Sequence, residues 1–177
     1  MTKSLAKRLA IFSIPLLILV GMTVFPLMTL YLGEDVQLKT APIDPRDLFR
    51  GDYVTLSYEI EDISKEKVDK AVLDAIVKEH SKGFKDVIVY TVLKENSSGI
   101  FEAERVLLEK PTSGTFIKGT TSRWQFSGDK VSISYNLDKF FVEENTGMAL
   151  EKGSREGTAV ATVKVWSGHS YLTDVNL

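Results

Sequence analysis

The sequence contains no cysteine and only two histidines, His80 and His169, far apart along the chain. Without cysteine there is no lipidated residue for a lipoprotein anchor and no thiolate for a zinc site. The absence is also compatible with an exported domain. Neither an HxH nor an HExxH pattern occurs, so a transition-metal site would have to be built from carboxylates. Asp44, Asp47 and Asp52 form one acidic group, but Arg46 and Arg50 interleave with it and would neutralise a bound Ca²⁺. Glycine-rich phosphate loops are missing too, since Ser127-Gly128-Asp129-Lys130 reads as a turn. Neither a metal nor a cofactor is expected.

Charge is missing from one long stretch. Between Leu9 and Leu32 there is no Asp, Glu, Lys or Arg. As a helix this run spans roughly 36 Å at ~1.5 Å per residue, enough to cross a ~30 Å hydrocarbon core with some tilt. Its Leu, Ile, Val and Phe side chains favour insertion by about 4–8 kcal/mol. Pro15 and Pro26 weaken it, but membrane helices tolerate kinks. The run is longer than the ~7–15 residues of a signal-peptide core, and FPLMTLYLGED lacks a small-x-small cleavage pair. An uncleaved signal-anchor is expected. Lys3, Lys7 and Arg8 crowd its N-terminal flank, whereas Glu34 and Asp35 open the other side. That density, rather than the raw count, places the N-terminus in the cytoplasm and the C-terminal domain outside.

Residues 1–33 therefore read as a cytoplasmic tip and transmembrane anchor, and 34–177 as one extracytoplasmic domain. The first 33 residues hold three of the 22 basic residues and none of the 24 acidic ones, leaving the domain at about −5. Such a domain has no electrostatic footprint for a phosphate backbone, so no nucleic-acid partner is expected.

The stretch around which the domain is organised is PIDPRDLFRGDYVTLSYEI, residues 42–60. Pro42 and Pro45 stiffen its start and bias their preceding residues towards extended conformations. Asp44, Arg46, Asp47, Arg50 and Asp52 place mixed charges around Leu48 and Phe49, a pattern suited to bidentate Arg–Asp pairing. From Tyr53 to Ile60 the side chains alternate. Val54, Leu56, Tyr58 and Ile60 share one face, which predicts a strand with one buried side.

Gly51-Asp52-Tyr53-Val54-Thr55-Leu56-Ser57-Tyr58 resembles the signature of the bacterial GDYXXLXY protein family. The preceding DPRDLFR is similar to the family's lead-in, and YNLDKFFVEENTGMALE, residues 135–151, resembles its later block. There Asn136 replaces a Gly and Glu144 a Pro. The terminal WSGHSYLTDVNL is like the family's closing strand pair. The resemblance implies a membrane-anchored protein, of a kind often encoded beside a multi-pass membrane protein, and it brings no established activity; action alongside such a partner is the expectation drawn from it.

The remaining elements follow from periodicity. Val36 and Leu38 predict an edge strand over 34–40. Apolar spacing predicts an amphipathic helix from about Lys65 to His80, with Ser64 as N-cap and closed by Gly83. Residues 86–94 predict a central strand, apolar on both faces. Turn signals then separate strands over 100–109, 115–124, 131–135, 157–167 and 169–175. The fold class is α+β. A transmembrane helix precedes a mainly antiparallel β domain, partly rolled or barrel-like, with one or two packed helices.

The candidate binding residues are Asp44, Arg46, Asp47, Arg50, Asp52, Tyr53 and Tyr58. The Arg/Asp loop suits an internally paired network more than a site. Phe140 and Phe141 are expected to close the core; the alternative has them line a groove with Tyr53 and Tyr58. Arg50-Gly51-Asp52-Tyr53-Val54 also resembles an element of membrane-anchored signal peptidases. Their chemistry needs a Ser soon after the membrane helix, and here the first is Ser57, inside the signature strand. No catalytic residue is assigned. The expected function is a non-enzymatic membrane-anchored module. The alternative is a membrane-surface hydrolase or ligand-binding protein using the 44–52 loop.

Overall fold

The computed structural model describes residues 3–42, 53–81, 86–122, 126–141, 152–153 and 156–177. An apolar helix, α1 (Lys3–Leu32), leads directly into the first strand, β1 (Glu34–Lys39), with only Gly33 between them. Within α1, Phe12–Leu32 is long and apolar enough to cross a membrane. Its mid-helix side chains are exposed all round, as a lipid-facing helix requires.

The domain is built from short antiparallel sheets. β1 is an edge of a three-stranded sheet with β10 (Val160–Trp166) in the centre and β11 (His169–Asn176) beyond. A second sheet places β4 (Val87–Glu95) between β5 (Phe101–Leu107) and β6 (Phe116–Thr121). β3 (Asp62–Ser64), β8 (Lys130–Ser132) and β7 (Phe126–Ser127) form a third. β2 (Tyr53–Thr55) pairs with β9 (Lys139–Phe141). Isolated bridges stitch the sheets together, Gln37 to Ile100, Ile117 to Gly168 and Thr120 to Ser134. The sheets wrap one apolar cluster that takes Val36 and Leu38 from β1, Val89 from β4, Val106 from β5 and Val163 from β10. No closed barrel forms among the described residues. The α+β, mainly antiparallel architecture is the one that the alternation and turn signals predict.

Several boundaries differ from the sequence expectation. The second helix, α2 (Lys70–Ser81), starts five residues later than Lys65. Asp62–Ser64 pairs with β8 instead, Lys65–Lys67 makes one 3₁₀ turn, and the Ser64 side chain caps nothing. The chain then stays extended because Val68 bridges Val106 and the Asp69 N–H donates to the Val106 carbonyl at 3.0 Å. Asp69 begins the helix, accepting from the Val72 N–H at 2.9 Å. Tertiary pairing thus overrides local helix periodicity. Gly83, expected to close the helix, lies outside the described residues.

β4 is central as expected but buried on one face only. Val87, Val89, Thr91 and Leu93 point inward, while Ile88 is exposed. Phe140 packs against the core. Phe141, expected to do the same, is 74% exposed because alternation along β9 turns it outward.

Candidate functional site

The signature segment is where the sheets meet. Regular pairing lasts only from Tyr53 to Thr55, yet the alternation continues, with Val54, Leu56, Tyr58 and Ile60 all buried. After Thr55 the backbone bonds go to three different parts of the fold. Leu56 N–H donates to the Asp138 carbonyl at 2.9 Å, and Ala41 N–H donates to the Ser57 carbonyl at 2.8 Å. Thr40 bridges Tyr58, and Ile133 N–H donates to the Glu61 carbonyl at 2.8 Å. One segment therefore ties β1, the approach to β9 and the β8 sheet together.

Beneath it lies a network of buried hydroxyls. Tyr58, 1% exposed, donates its phenol to the Leu137 carbonyl at 2.9 Å. Tyr135 donates to the Ile60 carbonyl at 3.1 Å and lies 2.6 Å from the Thr91 hydroxyl. Burial pushes both phenols above their ordinary range, so they stay protonated and act as hydrogen-bond donors. Each amphipathic ring thus fills the core while its polar tip finds a partner.

Glu61 closes the segment and was not singled out by sequence reasoning. Its Oε2 accepts from the Ser57 hydroxyl at 2.6 Å and from the Tyr58 N–H at 3.1 Å. Partial burial raises its pKa above the ordinary carboxylate value. The two hydrogen bonds oppose that shift, and the nearby Asp138 and Asp62 reinforce it. The four-residue offset from Ser57 is the signal that was available. It was obscured because the segment read as a continuous strand, in which residues four apart do not meet.

Asp44, Arg46, Asp47, Arg50 and Asp52 lie outside the described residues. Tyr53 is placed by its backbone, opposite Phe141. Tyr58 is brought to the centre of the network, with its hydroxyl engaged by protein backbone. The Phe140–Phe141 edge does border a cleft of about 430 Å³, but its opposite wall is Ser170–Thr173 of β11 rather than Tyr58. A smaller cleft of about 260 Å³ is lined by Lys39, Glu59, Asp62, Lys67, Glu102 and Lys130 among others. Its basic and acidic side chains balance in number. Lys39 pairs with Glu59 at 2.7 Å, Lys67 donates to the Ala103 carbonyl at 2.8 Å, and the Asp62 carboxylate holds the Ser132 hydroxyl. No cluster of His, Cys, Asp and Glu suited to a metal ion occurs among the described residues.

The fold and the segment define a class, a small α+β domain fused to an apolar N-terminal helix and centred on a Tyr-rich signature. The chain belongs to the GDYXXLXY protein family, whose family model matches residues 15–175. No curated protein and no solved structure matches it.

Proposed function

We propose that this protein is a single-pass module with its N-terminus in the cytoplasm and its C-terminal domain outside. In this reading it works without enzymatic chemistry, alongside a multi-pass membrane partner. The supporting observation is the junction between helix and domain. The last turns of α1 pack on β10 and β11, and Thr29 is 2% exposed. Gly33 sits so close to the helix end and to β10 that a Cβ there would overlap the Thr29 carbonyl oxygen. That Cβ would also lie 3.2 Å from the backbone N and O of Val165. A cleaved signal sequence has no reason to form part of the mature core, whereas an anchor that sets the domain's pose does. The Lys39–Glu59 ion pair in the 260 Å³ cleft, and tyrosines donating to backbone, fit a scaffold better than a reaction centre.

The test is affinity capture of the tagged full-length chain from detergent-solubilised membranes. It is compared with a form whose residues 3–24 are replaced by an unrelated membrane helix, leaving the docked turns intact. A multi-pass protein recovered with the native helix and lost with the replacement is the expected result. Recovery of no membrane protein with either form would overturn the partner assignment.

A further inference from the structure

We infer that the tip of the β10–β11 hairpin is a membrane-interface anchor that sits among the phospholipid headgroups. The inference rests on the membrane-spanning reading of α1 and adds a second contact between domain and bilayer. The hairpin turns at Ser167 and Gly168 and runs back along the helix rather than stopping at its end. The His169 ring lies 5.1 Å from the ring of Phe25, two turns before the last residue of α1. The hydrocarbon layer begins beyond Arg8, and the helix from Leu9 to Phe25 rises only about 26 Å. A ~30 Å hydrocarbon core therefore ends within about one helical turn of Phe25. The hairpin tip touching Phe25 falls at that boundary.

The side chains there suit the position. Tyr31 is 84% exposed, Tyr171 is exposed and Trp166 is half-buried. Aromatic residues of this kind favour the membrane–water interface. Two lysines flank the tip in a domain that is acidic overall. Lys110 Nζ donates to the Ser167 hydroxyl at 2.7 Å, and the Lys118 N–H donates to the Gly168 carbonyl at 2.9 Å. Long lysine stems can extend along apolar surface to reach phosphate. Among the described residues near the tip, Glu34 holds the Thr115 hydroxyl and Asp35 is paired with Lys164. The occupant of this face is the headgroup layer of the bilayer that α1 crosses.

The native chain has no thiol, so single cysteines report cleanly. The near-isosteric Ser167→Cys and the reference Asp129→Cys, on an exposed turn beside the far cleft, are each spin-labelled in the full-length protein. Both are reconstituted into phosphatidylcholine–phosphatidylglycerol vesicles carrying a nickel-chelating headgroup lipid. The expected result is strong relaxation of the Ser167 label by the headgroup nickel and none at Asp129. Lys110→Gln combined with Lys118→Gln should weaken the Ser167 effect without releasing the protein from the vesicles. Equal, purely aqueous behaviour at both sites in a protein that resists alkaline extraction would overturn the hairpin anchor and leave the membrane span standing. Extraction of the protein by alkali would overturn both.

Discussion

At the scale of single residues, Tyr58 shows how a signature position serves packing and polarity together. Its ring fills the core and its hydroxyl satisfies the Leu137 carbonyl. Tyr58→Phe should therefore cost about 1–3 kcal/mol, because a buried acceptor loses its donor, and a urea titration in detergent would measure it. Asn136 teaches a similar lesson. It stands where the family pattern has Gly, and its φ is 57°, in the left-handed region that Asn tolerates better than most residues. Asn136 therefore stands in a backbone conformation that both Gly and Asn accept. Glu61 carries the pH prediction. Burial raises its pKa above the ordinary value of 4.5, so the folded state holds this proton more tightly than the unfolded chain. Its destabilising contribution is absent below about pH 4.5, grows as pH rises towards the folded value, and is constant above it. Glu61→Gln can still accept both hydrogen bonds through its amide oxygen. It should flatten that part of the stability–pH profile and be at least as stable as the native protein at pH 7. Lower stability at neutral pH would mean that the ionised carboxylate's bonds outweigh its desolvation.

At the scale of elements, the faces were more legible than the lengths. Alternation from Val54 to Ile60 gives the right inward side chains, but the ladder stops at Thr55 because the following backbone groups bond to three different neighbours. Apolar spacing identifies the helix at Val72 and Ile76, yet it cannot show that Val68 is held extended by Val106. Long-range pairing of this kind leaves no local mark in the sequence. Close approaches were equally hidden. Gly119 on β6 lies where a Cβ would sit 2.6 Å from Ile133 Cγ2 and 2.9 Å from the Tyr135 ring. Gly119→Ala should cost about 1–3 kcal/mol through overpacking between β6 and the segment after β8, measured by the thermal midpoint in detergent. Unchanged stability would mean that the Tyr135 ring moves aside freely, which its hydrogen bonds to Ile60 and Thr91 argue against.

At the scale of the whole molecule, helix and domain form one mechanical unit joined through a single glycine. The sequence made the apolar helix plain and the antiparallel domain readable. It gave no sign that the helix's last turns belong to the domain, because Thr29 looks like any small residue in a membrane span. A form lacking residues 1–33 should consequently be less stable than one lacking only residues 1–24, since only the latter keeps Thr29 and Gly33 against β10. Equal thermal midpoints would show the docking to be energetically neutral. The central claim, an uncleaved anchor holding the domain outside the cell, is tested most directly by a thiol at Ser98, on the exposed turn between β4 and β5. Ser98→Cys in intact cells is treated with a membrane-impermeant maleimide and the labelled chain is weighed by mass spectrometry. A full-length chain that is labelled before lysis is the predicted result. Labelling only after permeabilisation, or a labelled chain shortened by its first thirty or so residues, would contradict the account.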